Sequence, residues 1–536
     1  MNSALKQDHL NPCSVDSTSL YIIALSAFLV SVPFLLQSNI GLNLADEAYL
    51  WYGAQRTATG EIPIRDFQSY EPGRYYWSAA WFQMFGTGIL ALRISNALFQ
   101  CIGLCFGLSA ARRAVSKWWM LFLLGIVFVV WMFPRHKLFE SSITMVGVWF
   151  AVFLIENPSP KKHFATGVFV GIAAFLGRNH GIYNCLGFFM LIIFLHWKTG
   201  KGSLGRNLSA WAAGVIVGSI PLIYFLVLVP GFFELFWDRI LSNFRHGTNL
   251  PLPVPWPWTV IGVVRNSLPG NWPYAAFQFF GSLSFLFMPL FYLTALIIAL
   301  VSSKEFLKRG SLFIACAFVG LFYQNHAFSR PDIGHLAQAF HPFLIGLVAI
   351  PHTFGLDKKR GAALILALFL VVVAWSGIWA HEYYHYLLGR WSNNPFVHYK
   401  IGKDDILINP GQAKLMDSVA QISSQRSKKE DDILIAPHWP GFYPVLGKKS
   451  PVWQTYFLLP ATEALQEKMI VQMENAPVQS IIIGDVPLDG RDDLRFRCTH
   501  PMIWSHILDK YEIVPTEGLP PNYQLFIRKP QEAASK

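Results

Sequence analysis

The stretch Ala45-Asp46-Glu47-Ala48-Tyr49-Leu50-Trp51-Tyr52 lies just after an apolar run over residues 20–37, and about ten more apolar segments follow it. Charge at membrane depth is costly, so two adjacent acids at the mouth of a helical bundle either face water or take part in chemistry. Beyond them the chain stays rich in charge, aromatics and turn residues, through Gly60-Glu61-Ile62-Pro63-Ile64-Arg65-Asp66-Phe67 and Tyr70-Glu71-Pro72-Gly73-Arg74-Tyr75. Together they point to a reaction at the membrane surface, on the side away from the cytoplasm.

The composition supports the membrane reading. Of 536 residues, 53% are hydrophobic and 14% charged, and the mean hydropathy is +0.36. A soluble domain carries about 25% charged residues. Phe (44) and Trp (19) are abundant, as expected where rings meet lipid or its interfaces. The net charge of +11 falls mostly in short loops between apolar segments, so it reads as a topology signal and not as a nucleic-acid surface. Cys101, Cys105, Cys185 and Cys316 lie within apolar segments and Cys13 in the N-terminal tail. That leaves Cys498 alone in the C-terminal region, with no disulfide expected there. No cleavable signal peptide is expected, because the first apolar run begins near Leu20 and lacks a small-residue cleavage site.

Eleven membrane helices are expected, at about 20–37, 88–110, 118–134, 141–155, 164–177, 181–197, 207–230, 276–301, 311–325, 336–353 and 362–380. Alternate loops are basic: Arg112, Arg113 and Lys117; Lys161 and Lys162; Lys198, Lys201 and Arg206; Lys304, Lys308 and Arg309; Lys358, Lys359 and Arg360. Only Glu156, Glu305 and Asp357 oppose them. The positive-inside rule then places the N-terminal tail, 1–19, in the cytoplasm and residues 381–536 outside. The outer loops are 38–87 and 231–275. In the second, Pro251-Leu252-Pro253-Val254-Pro255-Trp256-Pro257-Trp258 cannot be regular helix. The outer tail has strand-like runs at Ile433-Leu434-Ile435, Ile481-Ile482-Ile483 and Tyr523-Gln524-Leu525-Phe526-Ile527. Helical patterns near 412–424 and 461–475 lie between them. The expected fold is therefore an α-helical polytopic membrane module over 20–380 with a C-terminal α/β extracytoplasmic domain over 381–536. No internal repeat suggests a transporter's inverted halves.

Three outer turns carry polar clusters: Pro134-Arg135-His136-Lys137, Gly177-Arg178-Asn179-His180 and Ser329-Arg330-Pro331-Asp332-Ile333-Gly334-His335. All lie on the side of Asp46 and Glu47. Arginine can grip phosphate bidentately, and a carboxylate can deprotonate an attacking hydroxyl. Blander readings stay open at this point. Arg135 and Lys137 can sit at lipid headgroups, and His136, His180 and His335 can be ordinary interfacial histidines. Asp66 and Glu71 can fix a Pro/Gly-rich loop. No pair among His136, His180 and His335 has close metal-ligand spacing. Asp46 opens a juxtamembrane helix and can cap it, but capping alone gives Glu47 no purpose.

The acid pair in the first outer loop, followed by Gly60-Glu61-Ile62-Pro63-Ile64-Arg65-Asp66-Phe67 and the Pro-Gly-Arg turn, resembles the C superfamily of glycosyltransferases (GT-C). This group includes protein O-mannosyltransferases, aminoarabinose transferases and transferases of the lipopolysaccharide core. The resemblance covers roughly 20–380. Ala436-Pro437-His438-Trp439-Pro440-Gly441-Phe442-Tyr443 also resembles the small outer domain of bacterial members. It implies a polyprenyl-phosphate sugar donor, a lipid, glycan or protein acceptor, and an active site on the periplasmic face of the inner membrane. Asp46 matches the general base, and Glu47 the neighbour that orients base or acceptor. Arg74 occupies the place of a Lys in the Lys-Pro-Pro turn of aminoarabinose transferases, the turn here reading Glu71-Pro72-Gly73-Arg74. Arg330 and His335 resemble late-loop residues that hold the lipid phosphate.

The expected chemistry is an inverting displacement in which Asp46 takes the acceptor proton and Arg74, Arg178, Arg330 and His335 hold the donor phosphate. Asp66, Glu71, Arg135, His136, His180 and Asp332 contact donor or acceptor. No cofactor is called for, a divalent metal is not required, and no nucleic acid is involved. The alternative from another class is a lipid or solute transporter such as a flippase. The asymmetric chain, the large outer tail and nearly charge-free spans argue against it.

Overall fold

A computed structural model describes residues 17–200, 202–246, 250–268, 270–357, 359–380, 396–426, 432–476 and 478–530. Most of the N-terminal tail with Cys13, the loop cations Lys201 and Lys358, and the junction over 381–395 lie outside the described residues.

The chain is an α-helical multi-pass membrane protein with a C-terminal α/β region. Among the described residues, seven helices are long and apolar enough to span a membrane. They are α1 (Ser17–Gln37), α4 (Ile89–Ala111), α6 (Leu138–Glu156), α8 (Arg178–Thr199), α13 (Trp272–Val301), α15 (Ser311–Ser329) and α18 (Arg360–Ala380). Two bent pairs raise the number to nine if each is one span. These are α9 (Leu204–Gly218) with α10 (Ile220–Leu228), at 59°, and α16 (Ile333–Ala339) with α17 (His341–Thr353), at 55°. A proline opens the second helix of each pair, Pro221 and Pro342. It donates no amide hydrogen bond and so favours a break.

The two remaining expected spans are α5 (Trp118–Val130), which is short, and α7 (Pro160–Leu176), which falls outside the span set. The second outer loop contains two helices, α11 (Phe232–His246) and α12 (Pro257–Ser267). The Pro-Trp run expected to be irregular is so only to Trp256. Pro257 starts α12, where a missing amide donor costs nothing.

The first outer loop folds into α2 (Asp46–Ala58) and α3 (Pro72–Phe85). The tail contributes a hairpin, β1 (Val397–Ile401) and β2 (Asp404–Ile408), and a four-stranded sheet ordered β3-β4-β6-β5. Its strands are β3 (Ile433–Ala436), β4 (Ser480–Gly484), β5 (Tyr511–Val514) and β6 (Tyr523–Arg528), and only β3 with β4 is parallel. Helices α19 (Pro410–Arg426) and α21 (Glu463–Asn475) fill the two helical patterns, and the short α20 (Phe442–Leu446) follows β3. The hairpin and β5 were not legible, being short and interrupted by polar or charged residues that leave no apolar run like those of β3 and β4.

The tail lies directly on the first outer loop. Gly41 donates to the Leu407 carbonyl at 2.8 Å, and Leu407 to the Asn39 carbonyl at 2.7 Å. Asp404 accepts from the Leu90 amide at 3.0 Å at the start of α4. Gly441 donates to the Leu44 carbonyl at 2.9 Å. A Cβ at Gly441 would stand 2.6 Å from the Ala48 Cβ and 2.8 Å from the Leu44 oxygen, so the approach of α20 to α2 needs glycine.

Gly441→Ala is expected to loosen this contact and to cost about 1–3 kcal/mol, typical of overpacking. Thermal unfolding should come earlier and amide exchange over 436–457 should speed up. Unchanged exchange there would show that the contact does not hold the tail down.

Candidate functional site

The start of α2 decides what Asp46 is free to do. The Asn43 side-chain oxygen accepts from the amides of both Ala45 and Asp46, each at 2.9 Å. Asn43 thus satisfies amides that the helix leaves unpaired, and the Asp46 carboxylate is not consumed as a cap. Asp46 is half-buried and receives the Tyr456 hydroxyl at 3.1 Å. Burial, and then the nearby Asp46 carboxylate, push the Tyr456 hydroxyl well above the usual tyrosine range, so it stays a neutral donor.

Tyr456 is gripped from the first outer loop. Gln68 Oε1 accepts from the amides of Thr455 (3.1 Å) and Tyr456 (2.9 Å), and its Nε2 donates to the Tyr456 carbonyl at 3.1 Å. Two imidazoles also feel the Asp46 charge, those of His136 and His438. Burial lowers His438 to about 4 even with Asp46 and Asp489 opposing it, so it is neutral near pH 7. Its buried Nε2 has no hydrogen-bond partner.

Glu47 has a different environment. Its side chain is 1% exposed. Arg93 donates to both of its oxygens at 2.8 Å, and Arg135 Nε lies 3.4 Å away. Arg93 also donates to the carbonyls of Ser38 and Gly41, and Arg135 to those of Gln37 and Ile40. Burial raises the Glu47 carboxyl, but the two guanidinium groups outweigh it and hold it at about 2. Glu47 therefore anchors the turn between α1 and α2 as a buried anion, and Arg135 is committed with it.

A second ionic cluster adjoins this one. Arg74 donates to Glu140 at 3.0 Å and to the Leu176 carbonyl at 3.1 Å, with its guanidinium 4.9 Å from the Tyr70 ring centre. Gly73 makes this reach feasible, since a Cβ there would lie 2.6 Å from the Phe175 oxygen at the end of α7. Lys137 Nζ stands 3.9 Å over the same Tyr70 ring and 4.0 Å from Glu140. Glu71 is buried beside Arg178 at 3.7 Å. Burial raises it, and Arg239, Arg178 and Arg74 together bring it below the usual range. His180 is buried and stacks on Tyr323 at 5.8 Å.

At the opposite rim, Arg330 forms a bidentate pair with Asp489 of the tail (2.8 and 2.9 Å) and reaches Asp332 at 3.1 Å. Asp332 accepts both the amide of His335 (2.8 Å) and its Nδ1 (2.9 Å), which fixes the start of α16. Arg330 also lies close enough to influence Tyr456. The arrangement thus gathers Asp46, His136, Lys137, Tyr70, Arg74 and Glu140 under Tyr456 and His438, with Arg330 and Asp489 at the edge. Asp66 is not among them: it pairs with Arg65 at 2.7 and 2.9 Å and accepts from the Ile62 amide at 2.7 Å, closing its own loop. Among the described residues, no group of three or more His, Cys, Asp or Glu could hold a metal ion.

Glu140, Arg93, Gln68, Tyr456 and Asp489 escaped the sequence reading. Glu140 had a signal, as a lone acid at the start of an apolar helix. The tail residues had none, because only the fold brings them over the first loop.

No protein-family model matches the chain, and no curated protein matches it either. Solved structures similar to it include ArnT from Cupriavidus metallidurans bound to undecaprenyl phosphate, at 14% identity over 97% of this chain and 100% of that one, with a TM-score of 0.42. The apo state of the same protein gives 13%, 96%, 100% and 0.43. The Archaeoglobus fulgidus oligosaccharyltransferase in the apo form gives 11%, 87%, 69% and 0.47. At these identities and TM-scores the likenesses carry no argument.

Removing Glu47 leaves two buried guanidinium groups uncompensated. Glu47→Gln is therefore expected to cost about 3–5 kcal/mol at neutral pH, read as a lower thermal midpoint. The folded-state value of about 2 lies below the ordinary 4.5. The stabilisation is thus complete above pH 4.5 and lost as pH falls toward 2. The gap between wild type and variant should narrow over that window, and a gap independent of pH would contradict the assignment.

Proposed function

We propose that this protein is a membrane glycosyltransferase that moves a sugar from a polyprenyl-phosphate donor to an acceptor hydroxyl, with inversion at the anomeric carbon. The observation that carries the reading is the Asp46 carboxylate, relieved of capping by Asn43, half-exposed and hydrogen-bonded by Tyr456. It stands apart from Glu47, which two arginines bury.

In this reading the acceptor oxygen attacks the anomeric carbon as its proton passes to Asp46. The bond from that carbon to the phosphate oxygen breaks, and the electron pair leaves with the polyprenyl phosphate. Cations that neutralise the leaving group lower the barrier. Lys137 is the best placed of these, because its contacts are a ring face and a carboxylate at 4.0 Å. Arg330 serves as the second by exchanging Asp489 for phosphate oxygens, since its bidentate geometry already suits them. Arg74, salt-bridged to Glu140 and 3% exposed, holds the cluster's shape more than it meets the donor. Tyr456 positions the base and raises no competing charge beside it. The prenyl chain lies between apolar helices, the site faces the periplasm of the inner membrane, and the acceptor is a lipid, a glycan or a protein.

The test is transfer by purified protein from a panel of radiolabelled polyprenyl-phosphate sugars to cell-envelope acceptors. Asp46→Asn should lower turnover by about 10²–10⁴-fold, the contribution typical of a general base. Tyr456→Phe should give a smaller loss that is mainly in kcat. Transfer that survives in Asp46→Asn would remove Asp46 from the role of base. Donor movement across liposome membranes without transfer would favour a flippase.

A further inference from the structure

A cavity of about 170 Å³ opens at the ends of α4, α6, α15 and α17 that lie far from Asp46. The 19 residues of α6 between Leu138, beside the candidate site, and Glu156, on the cavity wall, separate the two, about 28 Å of helix. It belongs to neither the acid pair nor the clusters around Tyr70 and Arg330, and the proposed function does not use it.

Its walls are polar and mostly cationic. Arg113 and, from the short helix α14 (Lys304–Arg309), Lys308 and Arg309 line it against one carboxylate, Glu156. Arg113 engages that carboxylate at 2.8 and 3.4 Å. Arg309 donates to the His352 carbonyl at 2.7 Å and lies 3.6 Å from Asp357. With Arg113 and Arg309 each beside a carboxylate, Lys308 is exposed and is the lining cation left without an ion pair among the described residues.

A second, independent observation concerns Thr353. This residue is 3% exposed, lines the cavity, and its buried hydroxyl has no hydrogen-bond partner. Buried hydroxyls are nearly always paired, so the Thr353 hydroxyl is available to bond a ligand oxygen. Ser311, the first residue of α15, completes that side of the wall. The setting adds the identity of the ligand. Leu312 and Ala349 give the cavity an apolar side, and Phe354 and Leu356 beside it are 45% and 36% exposed. The cavity also lies at the ends of membrane helices, on the face that bears the basic loops, where headgroups stand.

We infer that this pocket binds the phosphate of an anionic phospholipid headgroup, held by Lys308, Arg309 and the Thr353 hydroxyl. Basic pockets between membrane helices recognise such headgroups by this chemistry. The lipid cements the ends of α4, α6, α15 and α17 together on the face opposite the candidate active site.

The test is native mass spectrometry of the delipidated full-length protein in detergent, titrated with phosphatidylglycerol or with phosphatidylcholine. Wild type should bind a first phosphatidylglycerol more tightly than phosphatidylcholine. Lys308→Gln should weaken that first binding about fivefold, the worth of one cation at a lipid surface, and Thr353→Val should weaken it too. Lys161→Gln, an exposed cation elsewhere on the same face, should leave it unchanged. No preference for the anionic lipid, or equal losses at Lys161 and Lys308, would overturn the inference. Inorganic phosphate displacing the lipid at matched concentration would also overturn it, because a soluble anion would then be the ligand.

Discussion

The structure depends first on a buried ion triplet. Glu47 is held between Arg93 and Arg135, and those two guanidinium groups also take up the carbonyls of Gln37, Ser38, Ile40 and Gly41. These carbonyls belong to the turn that carries the chain out of α1 and over the top of the bundle. A buried ion pair is weak evidence of stability but strong evidence of geometry, since either charge alone would be intolerable there. With the turn fixed, Asn43 caps α2, and Asp46 is left at the helix start with its carboxylate uncommitted to the backbone. The two acids of the opening stretch thus divide their labour, one buried to hold the frame and the other half-exposed within it.

The frame is completed from far along the chain. Gln68 receives and donates hydrogen bonds with residues 455 and 456, and so places the Tyr456 hydroxyl on Asp46. The β2 strand joins the segment after α1, and Gly441 lets α20 sit on α2. Asp489 clasps Arg330 across the rim. A tail docked by so many independent contacts is part of the site's wall, which explains why the outer region and the membrane region share one hydrophobic core.

How much of this was legible follows from which forces act locally. Long apolar runs mark spans whatever the tertiary context, so most helices fell where expected. Their number was harder, because hydropathy does not see that prolines at 221 and 342 bend two of them, or that α7 carries cations in its first turn. The strands β3, β4 and β6 were legible as apolar runs, while the β1–β2 hairpin, half exposed and partly charged, was not. At the site, Asp46 stood out because an acid there needs a reason. The roles of its neighbours are tertiary facts. Arg74 and Arg330 read as free phosphate ligands in sequence, yet each is already paired, with Glu140 and with Asp489, and no local pattern foretold either partner. Asp66 closes its own loop, the plainer of the two readings its Pro/Gly-rich surroundings allow in sequence.

The most direct measurement is a cryo-EM structure of the protein in a nanodisc with polyprenyl phosphate bound. The account predicts the phosphate between Lys137 and Arg330, with Asp489 released from Arg330 and the Asp46–Tyr456 contact facing the open acceptor side. A phosphate seated away from Asp46, with the Arg330–Asp489 pair intact, would contradict it.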